Sequence, residues 1–182
     1  LNMASDGIQI SQGFVATETP AIEAGEDPVP NVRDEAAGVL DIQMYVDYLC
    51  PVCKAFEDAN GAYIESLLEN GGTTVEIHPI AILDRLSQGT KYSTRAANAA
   101  ACVANFSPNQ FWDFHSLLFA NQPAENTPGL SDDEVIAMTE EVGVETPPFV
   151  ADCIRNQTFK AWSGTSTARA RNRALLALLS WL

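Results

Sequence analysis

Apolar and polar residues alternate along residues 7–17, GIQISQGFVAT, a period-two pattern broken by Gly13 that predicts a short edge strand or hairpin. Residues 20–38, PAIEAGEDPVPNVRDEAAG, are rich in Pro and charge and read as a surface linker. The run VLDIQMYVDY, residues 39–48, is dense in β-branched and aromatic residues, as a mostly buried strand requires. The period then changes. From Pro51 to about Asn70 the apolar positions Val52, Ala55, Phe56, Ala59, Tyr63, Ile64, Leu67 and Leu68 recur every three or four residues and predict a helix, which Asn70-Gly71-Gly72 stops. TVEIHPIAIL, residues 74–83, predicts a second strand. Strand, helix and strand in that order make a βαβ unit with parallel strands.

Beyond Tyr92 the pattern is helical throughout. Residues 93–105 are Ala-rich, residues 109–120 carry a Phe-Trp-Phe-Leu-Leu face, and Ser131 to Glu134 form a capping box ahead of VIAMTEEVGV. A further helix is expected over Phe149 to Trp162, and TSTARARNRALLALLSWL also reads as helix. The expected organisation is an N-terminal strand or hairpin with linker at 1–37, a βαβ part at 38–91, a helical insertion at 92–162, and a C-terminal helix at 163–182 returning to the first part.

Composition narrows the function classes. The chain has 182 residues, 46% of them hydrophobic, enough to bury a core without relying on disulfides to fold. Its formal charge of -14, from 24 acidic against 10 basic residues, repels phosphate backbones and anionic lipids, so nucleic-acid binding is not expected. No apolar run is long enough to span a membrane, and LNMAS lacks the features of a signal peptide. Either the protein is cytosolic or an export signal has been removed.

Four cysteines remain to be explained. Cys50 and Cys53 stand three apart in DYLCPVCKAFE, while Cys102 and Cys153 are single, and His78 and His115 have no partner nearby in sequence. A structural zinc site needs four ligands at characteristic spacing, so no metal is expected. A redox pair has a mechanism: at a strand-to-helix junction, unpaired N–H groups and the helix dipole favour the thiolate of Cys50. Pro51 suits the first helical position. Cys53 lies one turn on, within reach of a reversible disulfide, and Lys54 adds a positive charge. The alternative is a pair of ordinary core thiols. His78 and His115 read as packed rather than catalytic residues, and neither a Gly-x-Ser-x-Gly elbow nor a phosphate-binding Gly loop is present.

YVDYLCPVCKAFE resembles the active-site segment of the DsbA-like branch of the thioredoxin superfamily, in particular its extracytoplasmic actinobacterial members. The similarity continues through ILDRLSQGTKYSTRAANAAACVAN, FWDFHSLLFANQPAENTPGLSDDE and FVADCIRNQTFKAW, and so covers about residues 38–162. The resemblance implies an α/β thioredoxin-like fold with an inserted helical domain, and a thiol-disulfide oxidoreductase that donates or exchanges disulfides. Its redox group is the Cys50-Cys53 disulfide itself, with no other cofactor. Cys50 becomes the nucleophile, Cys53 the resolving thiol, and Phe56-Glu57 match a Phe-Glu pair whose Glu assists proton transfer near the buried Cys. A lone Glu57 would otherwise read as a solvated helix carboxylate. Val52 offers neither charge nor hydrogen bond where strongly oxidising members often have His, which implies a milder oxidant. Related proteins carry a second, structural disulfide, which would join Cys102 to Cys153; two separate buried thiols are the alternative. The implied partners are reduced exported proteins and a membrane or thiol reoxidant, with the enzyme monomeric and extracytoplasmic, secreted or anchored by a segment ahead of Leu1.

One expected feature is missing. The family places a cis-Pro loop opposite the Cys pair, followed by a β-hairpin, and no such segment is evident here. Gly164-Thr165-Ser166-Thr167 has Ser where Pro should stand, and Thr146-Pro147 starts a helix. A C-terminal frameshift or truncation, an omitted segment, or a replacement in which ALLALLSWL covers the sheet would each account for this, the first two being favoured. A reductase or isomerase of the same fold is a competing function, distinguished by its reduction potential, and a redox-inactive binding or chaperone-like protein is another, if the missing cis-Pro loop has abolished catalysis.

Overall fold

The computed structural model describes residues 3–22, 26–32 and 38–179, with side chains through residue 173. The element order is β1 (Ile8–Ile10), β2 (Leu40–Val46), α1 (Pro51–Glu69), β3 (Thr73–Pro79), α2 (Tyr92–Phe106), α3 (Phe111–Ala120), α4 (Asp132–Glu141), α5 (Pro147–Arg155) and α6 (Lys160–Leu179). Among the described residues the sheet has three strands in the order β1-β3-β2. β2 and β3 are parallel, with Met44 opposite Ile77 and Val46 opposite Pro79, and β1 is antiparallel to β3. The crossover through α1 is what parallel pairing demands. Ile10 bridges to Ala16, so the expected N-terminal hairpin closes as a single bridge rather than a second strand.

The two sheet faces differ chemically. Ile8, Ile10, Met44, Val46, Val75 and Ile77 point into one hydrophobic cluster that continues through Ile64 and Leu68 of α1 into Tyr92, Phe111, Phe114 and Ile154 of the helical block. The other face carries a buried carboxylate, Glu76, which accepts hydrogen bonds from Asn31 Nδ2 at 2.8 Å, Gln43 Nε2 at 3.0 Å and Ser5 Oγ at 3.3 Å. His78 lies 3.4 Å from it and stacks on Tyr45 at 4.4 Å. This network ties the N-terminal segment to the sheet. Gly7 is required there, because a Cβ at that position would stand 2.6 Å from the Glu76 side chain. Burial pushes the Glu76 carboxyl up, but His78, Asn31 and Gln43 outweigh it and hold it at about 2.

The C-terminal half departs from expectation in one place. A single helix over Phe149 to Trp162 was expected, yet α5 stops at Arg155 and α6 starts at Lys160. Gln157 adopts φ 50, Thr158 N donates to Cys153 O, and the buried Asn98 side chain captures Phe159 N at 2.7 Å. These bonds end α5 and turn Phe159 inward. α6 then runs without a break through Gly164, so the boundary expected at 162/163 falls inside a helix. Its first turns fasten back onto the rest: Trp162 Nε1 donates to Ser5 O, Thr167 Oγ1 accepts from Ala81 N, and Arg169 forks onto Asp6. Gly164 to Thr167 are thus helical, and Thr146 caps α5 with Pro147 in its first turn. There is no cis peptide among the described residues. The side chains of the apolar tail at 174–182 lie outside them.

Candidate active site

β2 ends at Val46, and residues 47–50 form a tight turn in which Cys50 N donates to Asp47 O at 2.9 Å. The turn is held from within by Asp47. This fully buried carboxylate accepts from Leu49 N at 2.9 Å, Ile82 N at 2.8 Å and Leu83 N at 2.9 Å. It thereby fastens the junction before α1 to the loop that leaves β3. Burial raises its pKa, with those N–H groups opposing.

Cys50 is the N-cap of α1, in extended conformation at φ -80 and ψ 116, with Pro51 in the first turn. No side chain caps this terminus, so the first-turn N–H groups of α1 lack a side-chain acceptor and the positive end of the helix dipole lies at the Cys50 position. Gln122, just beyond α3, donates through Nε2 to Cys50 O at 3.0 Å and fixes the cap from the other side. Cys50 and Cys53 are both free thiols, each partly exposed. Burial, with the neighbouring Cys50 sulfur and the Asp47 charge, pushes the Cys53 thiol up to about 11 against the backbone N–H of Asp47. The two sulfurs are therefore unequal: one stands at the rim of a helix N-terminus, the other holds its proton.

The remaining residues singled out in the motif separate into distinct roles. Val52, 76% exposed, and Phe56, 47% exposed, flank a cleft of about 250 Å³ lined also by Gln43, Met44, Tyr45, Val46 and Cys53. The cleft is apolar and opens beside Cys53. Lys54 does not lend its charge to Cys50, since Nζ pairs with Asp58 Oδ1 at 2.9 Å one turn further along α1. Glu57 is not a solvated carboxylate: its side chain is 10% exposed, and Oε2 lies 3.7 Å from Nε2 of the fully buried His115. Cys102 of α2 and Cys153 of α5 form a disulfide, 51 residues apart in sequence. It lies in the helical block, within the hydrophobic cluster. Among the described residues no group of three His, Cys, Asp or Glu converges as metal ligands do.

Sequence reasoning passed over Asp47 and Gln122. Asp47 sits in a strand-like run where its burial cannot be read, and its partners at 82–83 are far away in the chain. Gln122 follows a helix end and carries no motif.

The comparisons agree with this geometry. The family model described as Thioredoxin matches residues 34–177. The reduced form of the disulfide bond oxidoreductase DsbG from Mycobacterium tuberculosis superposes with a TM-score of 0.69 at 29% identity, over 91% of this chain and 73% of that one. Reduced DsbA from the same organism gives 0.69 at 28% identity, over 91% and 78%. MdbA, a thiol-disulfide oxidoreductase from Corynebacterium matruchotii, shares the fold at a TM-score of 0.63 and 19% identity, over 92% and 76%. A search of curated proteins gave no match. The chain belongs to the thioredoxin family, and with its DsbA-like architecture it is a thiol-disulfide oxidoreductase.

Proposed function

We propose that the protein oxidises reduced exported proteins by passing them the Cys50-Cys53 disulfide. The observation that carries this reading is the inequality of the two sulfurs: Cys50 caps the N-terminus of α1, while Cys53 is held protonated up to about 11. A substrate thiolate attacks Cys50 Sγ; the Cys50–Cys53 bond breaks, a substrate–Cys50 bond forms, and Cys53 leaves with the electron pair and takes one proton. A second substrate thiolate then attacks the substrate sulfur of the mixed disulfide and releases Cys50. The substrate has lost two electrons and the enzyme has gained them. Glu57, one turn from Cys53 on the same helix, is the group that passes the proton to Cys53.

The apolar cleft beside Cys53 supports unfolded polypeptide as substrate, since exposed apolar side chains fill it where folded surfaces do not. The names of the actinobacterial neighbours support disulfide exchange, and the Cys102-Cys153 bond supports an oxidising, extracytoplasmic compartment. A membrane or thiol partner restores the Cys50-Cys53 disulfide, no other cofactor is needed, and the enzyme acts as a monomer. The test is turnover of a reduced, unfolded protein in a glutathione buffer. Recovery of native disulfides that is lost in Cys50→Ala supports the reading, whereas equal recovery with Cys50→Ala overturns it.

A further inference from the structure

His115 has no place in the exchange steps, yet it is a fully enclosed titratable group close to them. It is fully buried in α3, stacked on Trp112 at 5.7 Å and edge-on to Phe119 at 5.3 Å. Such a cage suits an aromatic hydrocarbon; placing an imidazole there costs free energy unless both nitrogens are partnered. Nδ1 is partnered, by Tyr48 Oη at 2.9 Å. Nε2 and Glu57 Oε2 are both buried without a hydrogen bond, and they face each other at 3.7 Å.

The tautomer follows from the neighbours. Burial first, then Glu57 and Tyr92, push the Tyr48 phenol well above its ordinary value, so Tyr48 keeps its proton and is able to donate it to Nδ1. Nε2 then carries hydrogen and points it at Glu57 Oε2. The opposite tautomer would set an imidazole lone pair against a carboxylate in a site closed to water. The other titratable groups near this chain are Tyr92 of α2, which acts on Tyr48, and the Cys pair in the first turn of α1. Asp47 also acts on Cys53 and Tyr92, with its carboxylate tied to the N–H groups of Leu49, Ile82 and Leu83.

We propose that His115 is a positioning residue for Glu57, the middle member of a buried Tyr48–His115–Glu57 chain that keeps the Glu57 carboxylate against α1 for proton exchange with Cys53. Its Nε2–H draws Oε2 inward and prevents the side chain from turning to solvent. The substrate thiol gives up one proton on attack and Cys53 takes one up, so the step balances with Glu57 as carrier. This inference rests on the role given to Glu57 above.

The test reacts the oxidised full chain with reduced glutathione between pH 5 and 9 and follows opening of the Cys50-Cys53 disulfide by acid quench and mass. Glu57→Gln is expected to slow the reaction about tenfold at pH 7 and to alter the pH profile. His115→Phe, which preserves the aromatic cage, is expected to reproduce both changes, and the double variant to be no slower than either single one. His115→Gln, which retains an N–H donor, is expected to recover most of the rate. If His115→Phe superimposes on the parent while Glu57→Gln does not, the His115 proposal is overturned and Glu57 keeps its role. If Glu57→Gln also superimposes on the parent, the Glu57 reading itself fails. Nitrogen NMR of the His115 imidazole in the unmutated chain does not depend on variants folding: hydrogen on Nε2 supports the proposal, and hydrogen on Nδ1 overturns it.

Discussion

Replacing both Cys102 and Cys153 by Ala removes the covalent tie between α2 and α5 without burying new polar groups, as Ser would. The cysteines are 51 residues apart, and releasing a loop of that length restores enough entropy to the unfolded chain to lower stability by about 4 kcal/mol at 25 °C. That is a large part of what a domain this size possesses, and it corresponds to a fall in melting temperature of roughly 10 °C. The native helices α2 and α5 remain packed through Val150 and Ile154, both at most 2% exposed, so the variant is expected to fold. Urea unfolding followed by circular dichroism measures the loss, and the m-value should rise because the unfolded chain is freer. Exchange at Cys50 should proceed at the parental rate in the folded protein, since the bond lies in the helical block. A loss below about 1 kcal/mol with an unchanged m-value would refute the reasoning, because the unfolded chain would then not have been restrained by the bond.

Alkylation should distinguish the two active-site thiols. In the reduced protein at pH 7 iodoacetamide is expected to label Cys50 first, with Cys53 labelled only as the pH climbs toward about 11, and peptide mapping shows which thiol was modified. The buried carboxylate of the opposite sheet face makes a separate prediction about acid stability. Glu76 is depressed to about 2, so its contribution, on the order of 2–3 kcal/mol, is fully present above its unfolded value near 4.5 and lost as pH falls toward 2. Urea unfolding of Glu76→Gln should therefore show a flatter decline of stability between pH 4.5 and 2 than the parent.

Much of the active site was legible because its signals are local. Cys50, Pro51 and Cys53 follow a strand and open a helix, and the period change at that point places them at a helix N-terminus. The capping box at Ser131 and Glu134 formed as read, with Ser131 Oγ accepting from Glu134 N. What escaped the sequence depends on partners far apart in the chain. The break between α5 and α6 is imposed by Asn98, some 60 residues upstream, on a segment whose own periodicity is helical. Lys54 looked like a charge for Cys50, but the i,i+4 carboxylate of Asp58 claims it. His115 read as a packed residue, and it is one. Only the fold shows that Tyr48 and Glu57 lie on either side of it.

The central claim is that Cys50 and Cys53 form a reversible two-electron couple with Cys50 as the exchanging sulfur. It is tested most directly by intact mass under a thiol-trapping quench after equilibration across glutathione redox buffers at pH 7. The account predicts a single two-electron transition confined to Cys50 and Cys53, at a potential near or above about -200 mV, while Cys102 and Cys153 stay joined. A transition near -270 mV would reverse the direction assigned to the enzyme. No transition at Cys50 and Cys53 in the folded protein would contradict the account outright.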